Sequence, residues 1–362
     1  MEELLQFAKE LISLPGLSAY EKPVREVISA AWEPLVDELQ ISRLGSLHGL
    51  RRGQGKAPRP ALMIAAHMDA IGLMVTGIVN GFLRVTEVGG LDPRILPSQP
   101  VIVHGRRDLD GVVIKPPDFL LPRNVSGKPA LLEHLLVDTG LESDDVAELV
   151  RVGDVVSFAQ PPIELAGKAL AGHTLDNRAS VAALTYCLRE LQHMVHDWDV
   201  WAVATTQEEE TLGGAFTSTY DLRPDLAIVV DVTFAKGPGT SDYGTFTLGK
   251  GPTIVWGANN HPVIHRKLKD LAEQIDLPYQ MEVEPGVGGT DAFATQITAG
   301  GVPTQVLGIP LRYMHTPIEM VSVKDMGRMG RWLAEFITRL EIDFMKTVRW
   351  DESDNEEQKD ES

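Results

Sequence analysis

Three apolar runs of strand length, Pro60 to Ala66, Val200 to Thr206 and Leu226 to Val230, each lead into a histidine or a carboxylate. Such runs lack the alternation of a half-exposed strand and suit a parallel sheet covered on both faces by helices. Helical apolar spacing appears where this arrangement needs it, over Leu4–Leu14, Glu21–Leu35, Asp176–Leu191, Pro262–Ile275 and Ser322–Phe344. Two further strands are expected at Tyr279–Glu284 and Val302–Ile309. Between about Leu73 and Leu165 the pattern changes to short Val/Ile-rich runs (Phe82–Val88, Val101–His104, Gly111–Ile114, Val152–Phe158) separated by Gly and Pro turns. The fold class that follows is α/β, a mixed-sheet domain with a small β-rich, PDZ-like or barrel-like domain spliced into it. Expected boundaries are 1–72 and 166–347 for the discontinuous α/β domain, 73–165 for the insertion and 348–362 for a tail.

At 362 residues the chain is longer than one typical domain, which agrees with an insertion. That tail holds seven acidic residues and one lysine between Asp351 and Ser362, so it is expected to be solvated and disordered. The net charge of −18 disfavours nucleic acid as a partner. No apolar run approaches bilayer-spanning length, and Met1-Glu2-Glu3-Leu4-Leu5 reads as an acidic amphipathic helix, not a basic leader. The single cysteine, Cys187, favours a reducing compartment; a cytoplasmic protein with no membrane partner is expected.

Five patches carry the chemistry. They are Ala66-His67-Met68-Asp69, Leu175-Asp176-Asn177-Arg178, Gln207-Glu208-Glu209, Val230-Asp231-Val232-Thr233 and Met314-His315-Thr316-Pro317. Each has a plain structural reading: a bonded His–Asp pair at a loop entrance, a helix N-cap at Asp176, a solvated turn at Glu208-Glu209-Glu210, a paired charge at Asp231, a loop histidine at His315. Asn177 and Arg178 would orient neighbouring carboxylates. Taken jointly, the patches fall at or just past strand ends of the α/β portion. Adjacent carboxylates inside a protein repel unless a cation compensates, and two divalent ions need about five N/O donors with one carboxylate left free as a base. His173 reads as a loop histidine, and Cys187 as core.

With these patches in order, the chain resembles the tetrahedral (TET) aminopeptidases, dinuclear metallopeptidases whose members also carry glutamyl aminopeptidase and endoglucanase labels. Gly288-Gly289-Thr290-Asp291-Ala292 extends the resemblance, as do Val137-Asp138-Thr139-Gly140 and Val152-Gly153-Asp154-Val155-Val156 in the insertion. It implies two divalent metal ions, zinc or cobalt, with His67 and Asp231 on one, Glu209 and His315 on the other, and Asp176 bridging. Glu208 is then the general base, Asp69 orients His67, and Thr290 and Asp291 line the substrate site. The implied activity is removal of N-terminal residues from peptides, by a homo-oligomer assembled from dimers into a hollow dodecamer. A glycoside hydrolase, or a non-catalytic peptide-binding member of the fold, is the alternative. The chain departs from the family pattern at Ala70, Glu210 and Gly213, which changes the charge beside the expected catalytic pair.

Overall fold

The computed structural model describes residues 1–117, 119 and 129–349; the expected acidic tail from 350 onward lies outside them. In chain order, helices α1 (Glu2–Leu11) and α2 (Lys22–Trp32) precede strands β1 (Glu38–Ile41), β2 (Leu47–Arg51) and β3 (Ala61–His67). Six strands follow: β4 (Gly72–Val79), β5 (Phe82–Val88), β6 (Pro100–His104), β7 (Asp108–Ile114), β8 (Leu136–Asp138) and, after helix α3 (Ser143–Leu149), β9 (Val155–Phe158). Next come β10 (Ile163–Leu165), β11 (Ala169–Gly172), α4 (Leu175–Leu191), β12 (Asp199–Thr205), the single turn α5 (Glu208–Thr211), α6 (Gly213–Leu222) and β13 (Leu226–Phe234). The chain continues with β14 (Thr253–Trp256), α7 (Pro262–Gln274), β15 (Gln280–Val283), α8 (Asp291–Ile297), β16 (Thr304–Arg312), β17 (Glu319–Ser322) and α9 (Val323–Thr338).

Eleven strands form one mixed sheet in the order β1-β2-β12-β3-β13-β16-β17-β11-β10, with β14 and β15 attached beside β16. Its central strands β12, β3, β13 and β16 are parallel. Alternate residues of these strands enter different cores. Leu62, Ile64, Ala202, Ile228 and Val230 pack in the large core with α1, α4 and α9, whereas Met63, Ala65, Val203, Ala227 and Val229 pack in a smaller core containing Ala292 of α8. Burial on both faces is why these segments read as unbroken apolar runs.

The remaining six strands close into a barrel in the order β4-β5-β8-β7-β6-β9, around a separate core containing Leu73, Leu83, Val103, Val137 and Val156. Closure leaves its strands no free edge. The chain enters the barrel five residues after His67 and returns to the large sheet at β10. No described helix is long and apolar enough to cross a membrane.

Among the departures from the expected elements, two bear on the core and the site. The last long helix ends at Thr338 instead of Phe344. Leu340 and Phe344 keep their burial, but the Trp198 indole donates to the Glu341 carbonyl and the chain turns into a short 3-10 segment. Asp176 is not an N-cap; it lies in a non-helical first turn of α4 with Asn177, joined to it by a cis peptide bond.

Candidate metal centre

Sheet register brings the polar residues to one edge. Thr205 pairs with His67 where β12 and β3 end together. β13 pairs with β3 only as far as Val229–Ala65 and then runs on beside β16. Asp231 therefore lies inside β13 and not at its end, yet level with His67. This carboxyl edge is where open α/β sheets place their ligands.

His67 stands at the centre of the cluster. Its Nε2 is 3.1 Å from Asp176 Oδ1, 3.7 Å from Asp231 Oδ1 and 3.8 Å from Glu208 Oε2. His315 Nε2 approaches from the mouth, 3.3 Å from Glu209 Oε2 and 3.6 Å from Asp176 Oδ2. Asp176 thus faces both imidazoles, one through each oxygen. Two overlapping donor groups result, His67–Glu208–Asp231 and His67–Asp176–Glu209, each with donor atoms within 4.8 Å of one another. Glu209 Oε1 is buried and without a hydrogen-bond partner. Imidazoles and carboxylates so arranged, one oxygen orphaned, fit borderline divalent cations; without them the buried charge is uncompensated.

Backbone contacts hold the donors. Asp69 Oδ1 accepts from the Glu208 N–H at 2.9 Å, and Asp69 Oδ2 from the Glu209 N–H at 3.2 Å and the Ser18 hydroxyl at 2.6 Å. His67 Nδ1 is nearer the Asp69 carbonyl, at 3.2 Å, than the Asp69 carboxylate, at 3.5 Å. Glu319, buried at the start of β17, accepts from the Asp176 N–H at 2.9 Å and the His315 N–H at 3.0 Å. Thr174, Gln207, Tyr313 and His315 all have φ near +60°, a conformation that non-glycine residues adopt at a cost and that clusters at functional sites.

Not every expected site residue plays its expected part. Arg178 is fully buried, but its guanidinium bonds the carbonyls of Leu11, Leu14, Gly16 and Met68, and Asn177 donates to the Val230 carbonyl; neither meets a carboxylate. Together they fasten α4 to the end of α1, the segment after it, the residue following β3, and β13. Thr290 lines the cleft and caps α8, whereas Asp291 is buried behind it, bonded to the Thr205 hydroxyl at 2.5 Å. His173 is buried apart from the donor groups. Glu210 turns away and accepts from the Gly89 N–H of the barrel at 2.7 Å, so it changes the contact between barrel and sheet more than the charge at the site. Sequence reading missed Ser18 and Glu319; only the spacing of Glu319, four residues beyond His315, hinted at the latter.

The electrostatics follow from burial. Desolvation drives Glu208 and Glu209 well above the ordinary carboxylate range, with Asp231 adding to the first and Asp176 to the second, against the pull of His67. Burial also lifts Asp231 to about 8 and Asp291 to about 6, again opposed by His67. For His67 burial works downward but is outweighed by Glu208, Asp176, Asp69 and Asp231, which raise it well above its ordinary value. This crowding of buried carboxylates is a cost that a bound cation would relieve.

The sequence profile of M42 glutamyl aminopeptidases matches residues 45–331. The chain is 34% identical over 326 residues to the lysyl aminopeptidase of Pyrococcus furiosus, covering 88% of this chain and 92% of that one. Among solved structures, the TET aminopeptidase of a marine sediment thaumarchaeon superposes with a TM-score of 0.91 at 28% identity, over 96% of this chain and 99% of the other. The TET1 peptidase of Pyrococcus horikoshii, described as assembling into a tetrahedron or a large octahedral shell, superposes with a TM-score of 0.81 at 31% identity, over 93% and 100%.

Proposed function

The chain belongs to the M42 glutamyl aminopeptidase family, and from that membership we propose that it is a metal-dependent aminopeptidase removing N-terminal residues from short peptides. The observation that carries this reading is the pair of donor groups sharing His67 at the carboxyl edge of the sheet, with an orphaned oxygen on Glu209. His67 and Asp231 would hold one ion, Glu209 and His315 the other, and Asp176, facing both histidines, would lie between; zinc or cobalt suits this donor set. When bound, the two cations supply Lewis acidity toward the scissile carbonyl, a lowered pKa for the attacking water and a dock for the free α-amino group.

Glu208 would act as the general base. Its distance from His67 would also allow it to be a donor. Five donors are already supplied by two histidines and three other carboxylates, however, and hydrolysis needs one carboxylate free. Glu208 Oε2 accepts a proton from the attacking water and delivers it to the departing amine. Asp69 holds the backbone of both Glu208 and Glu209, so base and donor stay in fixed relation.

We further propose that the protein works as a homo-oligomer, assembled from dimers into a dodecamer, on the likeness to the Pyrococcus horikoshii peptidase and to a TET structure described as a dodecamer, which superposes with a TM-score of 0.80 at 29% identity. The barrel would serve dimerisation and gating: a Cβ built on its Gly90 would lie 3.1 Å from His315 Nδ1 at the mouth of the cleft. A cytoplasmic setting agrees with the single, buried Cys187.

The test is amino acid release from unblocked aminoacyl-para-nitroanilides by protein loaded with zinc or cobalt, after chelation, and with Glu208→Gln. Chelation should abolish turnover reversibly. Glu208→Gln should keep its metal and lose roughly 10²–10⁴-fold in kcat. Metal-loaded protein that cleaves neither the panel nor longer unblocked peptides would refute the proposal.

A further inference from the structure

Beside the metal centre the cleft continues into a second recess of about 280 Å³, and the two share Val232, Gly289, Thr290, Met314 and His315. Its far wall is built by β15. Glu282 and Glu284, two residues apart, fall on the same side of that extended segment. Glu282 is held there by two hydroxyls. Thr233, two residues beyond Asp231 on the same face of β13, donates to Oε1 at 2.7 Å, and Thr253 of β14 donates to Oε2 at 2.6 Å. Gly308 makes room for both threonines, since a Cβ there would lie 2.3 Å from Thr253 Oγ1 and 3.0 Å from Thr233 Cγ2. The threonine that holds Glu282 Oε1 therefore stands two residues along β13 from Asp231, a proposed metal donor.

Asn259 gives a second, independent sign. It is 7% exposed, and its Oδ1 is buried with no hydrogen-bond partner. The amide orientation is set by its neighbours. Gln296 donates its nitrogen to the Ala258 carbonyl, so Gln296 Oε1 accepts from Asn259 Nδ2 at 2.8 Å, and the Asn259 oxygen is left over. That oxygen and the Glu284 side chain flank the same point: a Cβ built on Gly288 would lie 3.8 Å from Asn259 Oδ1 and 3.8 Å from Glu284 Cγ. The charged and unpartnered groups of this wall, Glu282, Glu284 and the Asn259 oxygen, are all acceptors. No lysine or arginine lines the recess, and among the described residues neither glutamate has a cation within ion-pairing distance. Val255, Val287, Val306 and Phe234 supply apolar wall between the acceptors and the metal centre.

We propose that this recess receives the side chain of the substrate's N-terminal residue and selects lysine or arginine. The assignment rests on the aminopeptidase reading above, which fixes where that residue sits. An apolar side chain would cover Glu282 without supplying a counter-charge, and an acidic one would add repulsion; both are costly in a partly desolvated recess. An ammonium or guanidinium pairs with the carboxylates and satisfies the Asn259 oxygen, while its methylene stem lies along the valines.

The experiment compares lysyl-, arginyl-, norleucyl- and glutamyl-para-nitroanilide on the zinc- or cobalt-loaded full chain, wild type, Glu282→Gln and Glu284→Gln. Norleucine keeps lysine's stem and lacks its charge. The lysyl-to-norleucyl ratio of kcat/KM should be about tenfold or more in the wild type and should fall at least several-fold in Glu282→Gln. Because Glu282 links strands, Glu284→Gln at the exposed end of the wall provides a second variant, and its ratio should fall as well. Calorimetric binding of L-lysine against L-norleucine reads the recess without turnover and should show the same order. Hydrolysis with no lysyl or arginyl preference, or a ratio unmoved in both variants, overturns the pocket while leaving the peptidase reading standing. Absence of hydrolysis across the whole panel overturns the peptidase reading, and the pocket with it.

Discussion

Glu319 shows what a single buried carboxylate does when it is aimed at backbone. Its two oxygens take the N–H groups of Asp176 and His315, residues 139 positions apart that carry the carboxylate proposed to lie between the two ions and the exposed imidazole of the cluster. Both sit on irregular backbone, a non-helical turn and a φ of +59°, that nothing regular would hold. Glu319→Gln keeps one acceptor and loses the other, so both donors should loosen together. Metal affinity should fall about 10–100-fold, the usual effect of removing support behind a ligand. Competition with a chelator of known affinity measures it, and unchanged affinity in a folded variant would remove Glu319 from this role. The residues that the structure gathers, His67, Asp176, Glu208, Glu209, Asp231 and His315, were legible because most follow apolar runs, where a charge asks for a reason. Asn259 and Glu282 were not, because their partners lie tens of residues away, and Glu319 was hinted at only by its spacing from His315, its other partner Asp176 lying 143 residues away.

At the level of elements, periodicity reported burial well and ends poorly. Strands β3, β12 and β13 were readable since both faces meet helices. That Asp231 lies inside β13 was not, because an overhang past β3 depends on a neighbour, β16, supplied more than 70 residues later. The end of α9 was misplaced for a related reason: Leu340 and Phe344 continue the apolar spacing, but Trp198 claims the Glu341 carbonyl. Helices α4 and α9 pack closely at Gly330 of α9, where a Cβ would come 2.6 Å from the Ala183 carbonyl oxygen and 2.8 Å from Tyr186 Cδ1 of α4. Because α4 begins with Asp176 and Asn177, separating the two helices should disturb the site as well as the core. Gly330→Val should cost about 1–3 kcal/mol by overpacking, read as a lower urea midpoint. A midpoint equal to wild type would show that the helices part without strain.

Over the whole molecule, two sets of buried groups respond to pH with opposite signs. His48 and His173 are kept neutral by burial, with folded values of about 4 and about 3, the second helped down by Arg178. The unfolded chain takes up protons on them below its ordinary value of 6.5, so they remove stability as pH falls from there toward 4 and 3. In the metal-free cluster the sense reverses. Asp231, lifted to about 8 by burial, and Glu208 and Glu209, also raised, bind protons in the folded state that the unfolded chain has released. The Asp231 penalty therefore grows as pH rises from about 4 to about 8, and those of the two glutamates grow in the same direction. His67 acts in the same direction, since its contribution is complete below 6.5 and disappears as pH rises through its raised folded value. Cations bound at the cluster would displace these protons and relieve that penalty, whereas His48 and His173 belong to neither donor group. The gain in Tm on adding zinc or cobalt should thus be larger at pH 8 than at pH 5.5, although the metal-loaded protein itself loses stability in acid. Taking the difference between loaded and chelated protein at each pH removes the histidine contribution. A gain that is flat or shrinks with rising pH would mean that the cations bind elsewhere.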